Sequence, residues 1–323
     1  MMKFIIFANR LKTWSHLVHT KIYFWVERYF YSPNLVMKLL SALLLPLSLI
    51  YSLIITLKKL TTKKKSYGIK VFSVGNLVVG GSGKTPLTKA LYLFISSYCK
   101  CFIILRGYKR ESNGLFIISH NNEILQNVHI SGDEAMEYAK MGANVIVSED
   151  RVRAIQIAKT LGAKCVILDD GFGKFDIDKF DIVLRPSIEP YFARTFPSGA
   201  YRYPLFFYRY ADYIIDKDDI KITNYIKNPT KRMVLVTAIA NPKRLSAYFG
   251  DVVATKFYPD HYNFKKDELK EILDNFNATS LLVTNKDYVK IESFLLPLSC
   301  IELELKLSDK FKKLIQKEIN FKK

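Results

Sequence analysis

From Leu39 to Leu57 the chain reads LLSALLLPLSLIYSLIITL, 19 positions without a charged side chain, bounded by Lys38 and Lys58. A helix of about 20 apolar residues is long enough to cross a bilayer. The preceding stretch, WSHLVHTKIYFWVERYFYSP, is rich in the Trp and Tyr that settle at membrane interfaces. Pro46 stands near the middle and can bend such a helix. Two arrangements fit the pattern, a full span and a shallow in-plane helical hairpin. A cleaved signal peptide does not, because the apolar run begins late and no small-residue cleavage site follows it. Lys58, Lys59, Lys63, Lys64 and Lys65 then suit anionic headgroups and mark that side as cytoplasmic.

Past Ile69 the apolar runs shorten and alternate with helical stretches. Strands are expected at 70–74, 102–105, 144–148, 165–168, 181–184, 213–216, 233–237, 252–257, 281–284 and 301–305, with 115–119 in a hairpin. Helices are expected at 84–98, 133–140, 151–161, 242–249, 266–276 and 309–319. Strands separated by helices imply βαβ units and a mainly parallel sheet. Polar residues between 217 and 231 suggest a boundary. The expected organisation is a membrane-associated helical segment over 1–66, a P-loop NTPase-like α/β core over 67–224, and a smaller α/β lobe over 225–323 that completes a cleft.

Composition narrows the class. With 323 residues and 49% apolar positions, the chain can bury two cores and is not disordered. Four cysteines, scattered and without zinc-site spacing, read as reduced core residues. The formal charge of +19 would ordinarily suggest nucleic acid. Here 12 Lys/Arg against the single acid Glu27 fall within residues 1–70, flanking the apolar run. That placement favours an anionic membrane surface over nucleic acid.

The strongest chemical signal runs from Val71 to Pro86. A hydrophobic strand leads into Gly80, Gly81, Ser82 and Gly83, and Lys84 and Thr85 open a helix. Glycines let backbone N–H groups turn towards phosphates, and the helix N-terminus adds partial positive charge. Lys84 would reach the β- and γ-phosphates of ATP, and the Thr85 hydroxyl would ligate Mg2+. The usual G-x-x-x-x-G-K-[ST] pattern would place a glycine where Val78 stands, so the spacing departs by one position. Asp169 and Asp170 end an apolar strand, where carboxylates of a parallel sheet face the ligand crevice. They read as metal-holding groups or as an Asp-Gly turn. Asp133 reads as a helix cap or as a general base. Asp260-His261 reads as a structural pair or as part of the site.

Together these motifs resemble the tetraacyldisaccharide 4′-kinase (lipid A 4′-kinase) family. The resemblance is carried by Ser73–Pro86, Leu105-Arg-Gly-Tyr108, Gly132-Asp-Glu134, Asp150-Arg151, Leu168-Asp-Asp-Gly-Phe172, Asn241-Pro242, Tyr258-Pro-Asp-His261 and Thr284-Asn-Lys-Asp287. The phosphate loop of that family has this same glycine spacing. The resemblance implies ATP- and Mg2+-dependent phosphorylation of the 4′-hydroxyl of a tetraacylated glucosamine disaccharide 1-phosphate. It implies a monomer acting at the cytoplasmic face of the bacterial inner membrane. It also implies Asp133 as catalytic acid–base residue with His261 as its dyad partner, Lys84 and Thr85 as the phosphate-loop pair, and Asp169 and Asp170 as metal carboxylates. Arg106, Arg151 and Arg202 are candidate clamps for substrate or γ-phosphate.

The chain departs from the family pattern at three places. Gly173-Lys174 replaces Gln-His, Tyr203 stands where a Glu is expected, and Lys109-Arg110 follows Arg-Gly-Tyr. Two other readings therefore accompany the kinase: a membrane-attached P-loop NTPase, and a nucleotide-binding adaptor weakened in chemistry.

Overall fold

The computed structural model describes residues 25–80, 83–108, 110–239, 242–259 and 262–320. The first sheet is built from β1 (Lys70–Asn76), β2 (Cys101–Leu105), β3 (Phe116–His120), β4 (Glu123–Ile124), β5 (Val145–Val147), β6 (Cys165–Asp169), β7 (Phe180–Leu184) and β8 (Tyr213–Ile215). Their order is β4-β3-β5-β2-β6-β1-β7-β8. The strands from β5 to β8 in that order run parallel, and β3 and β4 add an antiparallel edge. The runs Cys101–Leu105 and Cys165–Asp169 are buried throughout because both faces of the sheet are covered. Period-2 alternation sorts them: Phe72, Val74, Ile103 and Ile167 enter one core layer, and Val71, Phe102, Ile104 and Val166 the other.

On the first layer pack α3 (Lys84–Ser96) and α5 (Asp133–Lys140), which follows the single turn α4 (Val128–Ser131). On the second lies α6 (Arg151–Thr160). The second sheet contains β9 (Ile220–Lys227), β10 (Met233–Thr237), β11 (Val252–Phe257), β12 (Ser280–Thr284) and β13 (Leu298–Leu307), in the order β11-β10-β12-β13-β9. Helices α7 (Lys266–Asn275) and α8 (Asn285–Ile291) accompany it. Residues 242–249, expected as an α-helix, form 3₁₀ turns that run on to Asp251.

Two features differ from the expected division of the chain. The polar stretch read as a boundary is strand β9, paired antiparallel with β13 from Ile220↔Leu307 to Lys227↔Cys300. Its side chains are mostly exposed, so no buried stripe marked it. The final helix, α9 (Asp309–Asn320), returns to the first core, where Phe311 and Ile315 pack beside Leu87 and Leu91.

The apolar N-terminal run is broken at Leu44 into α1 (Leu35–Leu43) and α2 (Leu45–Thr61), bent by 51°. Pro46 sits in the first turn of α2, where its missing N–H breaks no helical bond. Among the described residues no single helix is long and apolar enough to cross a membrane, and only this bent pair reaches that length and composition jointly. The pair turns its polar side inward. Ser41 Oγ donates to the Ser198 carbonyl (2.7 Å) and Ser48 Oγ to that of Thr195 (2.8 Å). Ser52 Oγ meets Thr195 Oγ1 at 2.7 Å, and Tyr51 Oη donates to the Arg202 carbonyl (3.0 Å). Eleven Leu, Ile and Val side chains on the other side are 51–76% exposed. Of the lysines that follow, Lys58, Lys63, Lys64 and Lys65 are exposed. Lys59 instead lies over the rings of Phe175 (4.9 Å) and Tyr210 (5.3 Å), while the backbone of Lys65 forms a parallel bridge to Ile177.

Candidate active site

The expected site residues that are described gather at the carboxyl ends of the parallel strands. β1 ends at Asn76 beside β6, with Val74 opposite Asp169. Gly75 permits this closeness, since a Cβ there would stand 2.6 Å from that of Phe172. The loop then leads to Gly83, which caps α3 in a left-handed conformation (φ 82°) that a side chain would strain. Lys84 and Thr85 are the first two residues of α3. The segment 194–202 lies along the start of this loop: Val79 N–H donates to the Ala200 carbonyl (2.8 Å) and Arg202 N–H to that of Leu77 (2.7 Å).

Lys84 Nζ donates to Asn76 Oδ1 (3.1 Å) and stands 3.6 Å from Asp170 Oδ1. Arg202 grips both Asp170 oxygens at 2.8 Å and also donates to Asn76 Oδ1. Burial alone would raise the Asp170 carboxyl. The Arg202 hydrogen bonds and the Lys84 charge outweigh it and hold the group well below the usual carboxylate range. Asp169 is fully enclosed, which pushes its carboxyl up, partly offset by Lys84 and by Tyr138, whose Oη donates to Oδ2 (2.8 Å). Its Oδ1 is buried and accepts no hydrogen bond from the described residues. An orphaned carboxylate oxygen near the Lys84 ammonium fits a divalent cation, because an unpartnered buried anion is otherwise costly.

The three arginines separate by role. Arg202 is the clamp on Asp170. Arg151 is buried and donates to the backbone carbonyls of Ser148 (2.7 Å) and Asp169 (3.2 Å), so it braces the strand ends, and desolvation lowers its guanidinium to about 10. Arg106 follows β2 and is exposed.

Asp133 is the first residue of α5, with Gly132 as the cap. Its Oδ2 stands 3.2 Å from Lys290 Nζ on α8. The next residue, Glu134, stands in the Gly132-Asp-Glu134 motif, from which the sequence alone assigns it no role of its own. Burial, and after it the charge of Asp169, push its carboxyl up to about 7, against the pull of Lys286 and Lys84. Its helical neighbour Tyr138, one turn on, reaches Asp169, so the start of α5 faces the strand ends. Gly81, Ser82 and His261 lie outside the described residues, as do Lys109, Ala240, Asn241 and Asp260.

The departures at 173 and 203 are one contact. A Cβ at Gly173 would run into Tyr203 Oη. The Tyr203 ring packs edge-on to Phe172 (5.2 Å) and stacks on Phe207 (5.7 Å). The larger side chain at 203 therefore takes the room left by the missing one at 173.

A family model described as tetraacyldisaccharide-1-P 4′-kinase matches residues 40–231 and 217–320. A tetraacyldisaccharide 4′-kinase of Campylobacter jejuni is 47% identical over 296 residues, 90% of this chain and 94% of its own length. One of Helicobacter pylori is 44% identical over 290 residues, 88% of this chain and 91% of its own length. A crystal structure of LpxK from Aquifex aeolicus in complex with ATP superposes with a TM-score of 0.72 at 26% identity, over 87% of this chain and 99% of that one.

Proposed function

The chain belongs to the tetraacyldisaccharide-1-P 4′-kinase family, and from that premise we propose how its own residues carry the transfer. It is a kinase of lipid A biosynthesis that uses ATP to phosphorylate the 4′-hydroxyl of tetraacyldisaccharide 1-phosphate. The observation that carries the site assignment is the convergence of Lys84, Asn76, Asp170 and Arg202 at the strand ends, faced by the start of α5.

ATP phosphates lie against Gly80, Gly81, Ser82 and Gly83, with Lys84 on the β- and γ-phosphates. Asp133, with His261 as partner, accepts the proton of the 4′-hydroxyl. The sugar oxygen forms its bond to the γ-phosphorus as the bond to the β-phosphate oxygen breaks, and ADP leaves. Lys84 and the loop N–H groups stabilise the charge that moves onto the leaving oxygen. Thr85, Asp169 and Asp170 would hold Mg2+, which when bound supplies charge stabilisation to phosphate oxygens. Arg202 keeps Asp170 ionised and aimed, and Arg151 fixes the backbone beneath it.

The lipid substrate brings its own constraint. Each buried acyl CH₂ contributes about 0.8 kcal/mol, so a four-chain lipid stays in the bilayer and the enzyme must come to it. The outward apolar face of α1 and α2 suits the cytoplasmic face of the inner membrane, with Lys58, Lys63 and Lys64 at anionic headgroups. The two sheets act as lobes about the cleft, within one monomer.

The test is transfer of label from γ-labelled ATP to tetraacyldisaccharide 1-phosphate in detergent with Mg2+. Asp133→Ala is expected to lower kcat by about 10²–10⁴-fold with ATP binding intact. Wild-type turnover in that variant would remove Asp133 from the mechanism. Label released only as free phosphate would support the NTPase reading, and neither product the adaptor.

A further inference from the structure

We propose that Lys290 is a positioning residue for the transfer, holding the Asp133 carboxylate from the opposite lobe. The proposal rests on the reading of Asp133 as the base. The Lys290 ammonium stands 3.2 Å from Asp133 Oδ2, and the two side chains are only 8% and 13% exposed. Surface ion pairs of long flexible side chains contribute little. This pair is largely withdrawn from water, so solvent does not make up for the removal of one charge.

Lys290 is itself held from behind. It lies on the last turn of α8, whose Asp287 is completely buried. Asp287 accepts from Thr237 Oγ1 (2.7 Å), from the Ala238 N–H (3.2 Å) and from Thr284 Oγ1 (2.8 Å). These bonds tie α8 to the end of β10. Ile291, the neighbour of Lys290, is sealed in the core of the second sheet. A second ion pair, Lys140 to Glu292, joins the far end of α5 to the residue just after α8. The ammonium therefore projects from a fixed helix rather than a mobile loop.

The same ammonium donates to the Tyr262 carbonyl (3.4 Å). That loop is packed by Tyr258, whose ring lies 4.6 Å from Tyr262 and 5.2 Å from Phe264. One cation thus joins the first residue of α5 to Tyr262 of the second lobe. It aims the carboxylate that takes the proton and favours its ionised, proton-accepting form, in the same sense as the partial positive charge of the α5 N-terminus.

The experiment compares the full-length protein with Lys290→Met, Lys290→Arg, Asp133→Asn and the double variant, each checked by thermal melting. Lys290→Met is expected to lower kcat about 10- to 100-fold and to change the KM for ATP by no more than about threefold. The acidic limb of its kcat–pH profile is expected to move up, because the cation favouring the carboxylate is gone. Lys290→Arg should recover most of the rate and the wild-type limb. In the Asp133→Asn background Lys290→Met should have little further effect. An acidic limb left in place by Lys290→Met, with Asp133→Asn inactive, would overturn the role of Lys290 alone. Wild-type turnover in Asp133→Asn would overturn the base reading instead. If Lys290→Met melts below the assay temperature, Lys290→Gln carries the same comparison.

Discussion

The outward face of α1 and α2 gives a quantitative expectation for membrane binding. Fully burying a leucine contributes about 1.5–3 kcal/mol relative to leaving it exposed. Leu43 is 76% exposed and Leu53 58% exposed, so about 1–2 kcal/mol remains to be gained at each on contact with acyl chains. Replacing both by Gln should forfeit about 2–4 kcal/mol, and with every 1.4 kcal/mol a factor of ten, partitioning should fall about 30- to 1,000-fold. Neither side chain is part of the core, so the melting temperature in detergent should hardly move. The assay is co-sedimentation with vesicles containing anionic phospholipid, beside phosphoryl transfer to substrate in detergent micelles. Partitioning should collapse while micellar kcat stays close to wild type. Vesicle binding unchanged to within about threefold would refute the reasoning, because a partition set by this area must respond to it.

Two further outcomes follow from the site. Gly173→Gln alone should destabilise by driving a side chain into Tyr203, and Tyr203→Glu alone by opening the aromatic cluster with Phe172 and Phe207; together they should cost less than their sum, by about 0.5–3 kcal/mol. Denaturant titrations of the four proteins measure this, and additivity would refute the pairing. Glu134 has its carboxyl raised from 4.5 to about 7, so the fold favours its protonated form, and that contribution is full below about pH 4.5 and lost as pH rises through about 7. Glu134→Gln should therefore gain stability over wild type between pH 5 and pH 8, by about 2–4 kcal/mol. Melting curves that differ equally at both pH values would contradict it.

Elements with strong periodicity were legible in the chain. β10, β11 and α5 fall at 233–237, 252–257 and 133–140 as the pattern predicts. β9 was not legible, because an exposed ribbon strand is held by backbone pairing and carries no apolar stripe. The helix-opening position of Lys84 and the strand-end carboxylates were legible from local spacing alone. The clamp of Arg202 on Asp170 was not, because 32 residues separate partners that only the fold brings together. Lys290 escaped notice for the same reason, although it stands three residues after Asp287 of the Thr284-Asn-Lys-Asp287 motif. Gly173 and Tyr203 read as two separate lapses, since a linear pattern cannot display a shared volume. Ser41, Ser48 and Ser52 carried a usable signal: their spacing of seven and four marks one helical face.

As the proposed anchor, α1 and α2 would be sensitive, through that seam of hydroxyls, to where they rest. In water, solvent competes for the bonds of Ser52 and Tyr51, which are only partly buried, and each is individually modest. Against a hydrocarbon layer the local permittivity falls, competing water is displaced, and the same bonds strengthen. Their acceptors lie on the 195–202 segment, whose last residue grips Asp170. Landing on a bilayer would thus stiffen the anchor and, through it, the guanidinium that aims a site carboxylate. A helix docked by leucines would lack this response, since its attachment would draw on the same apolar surface that the lipid needs.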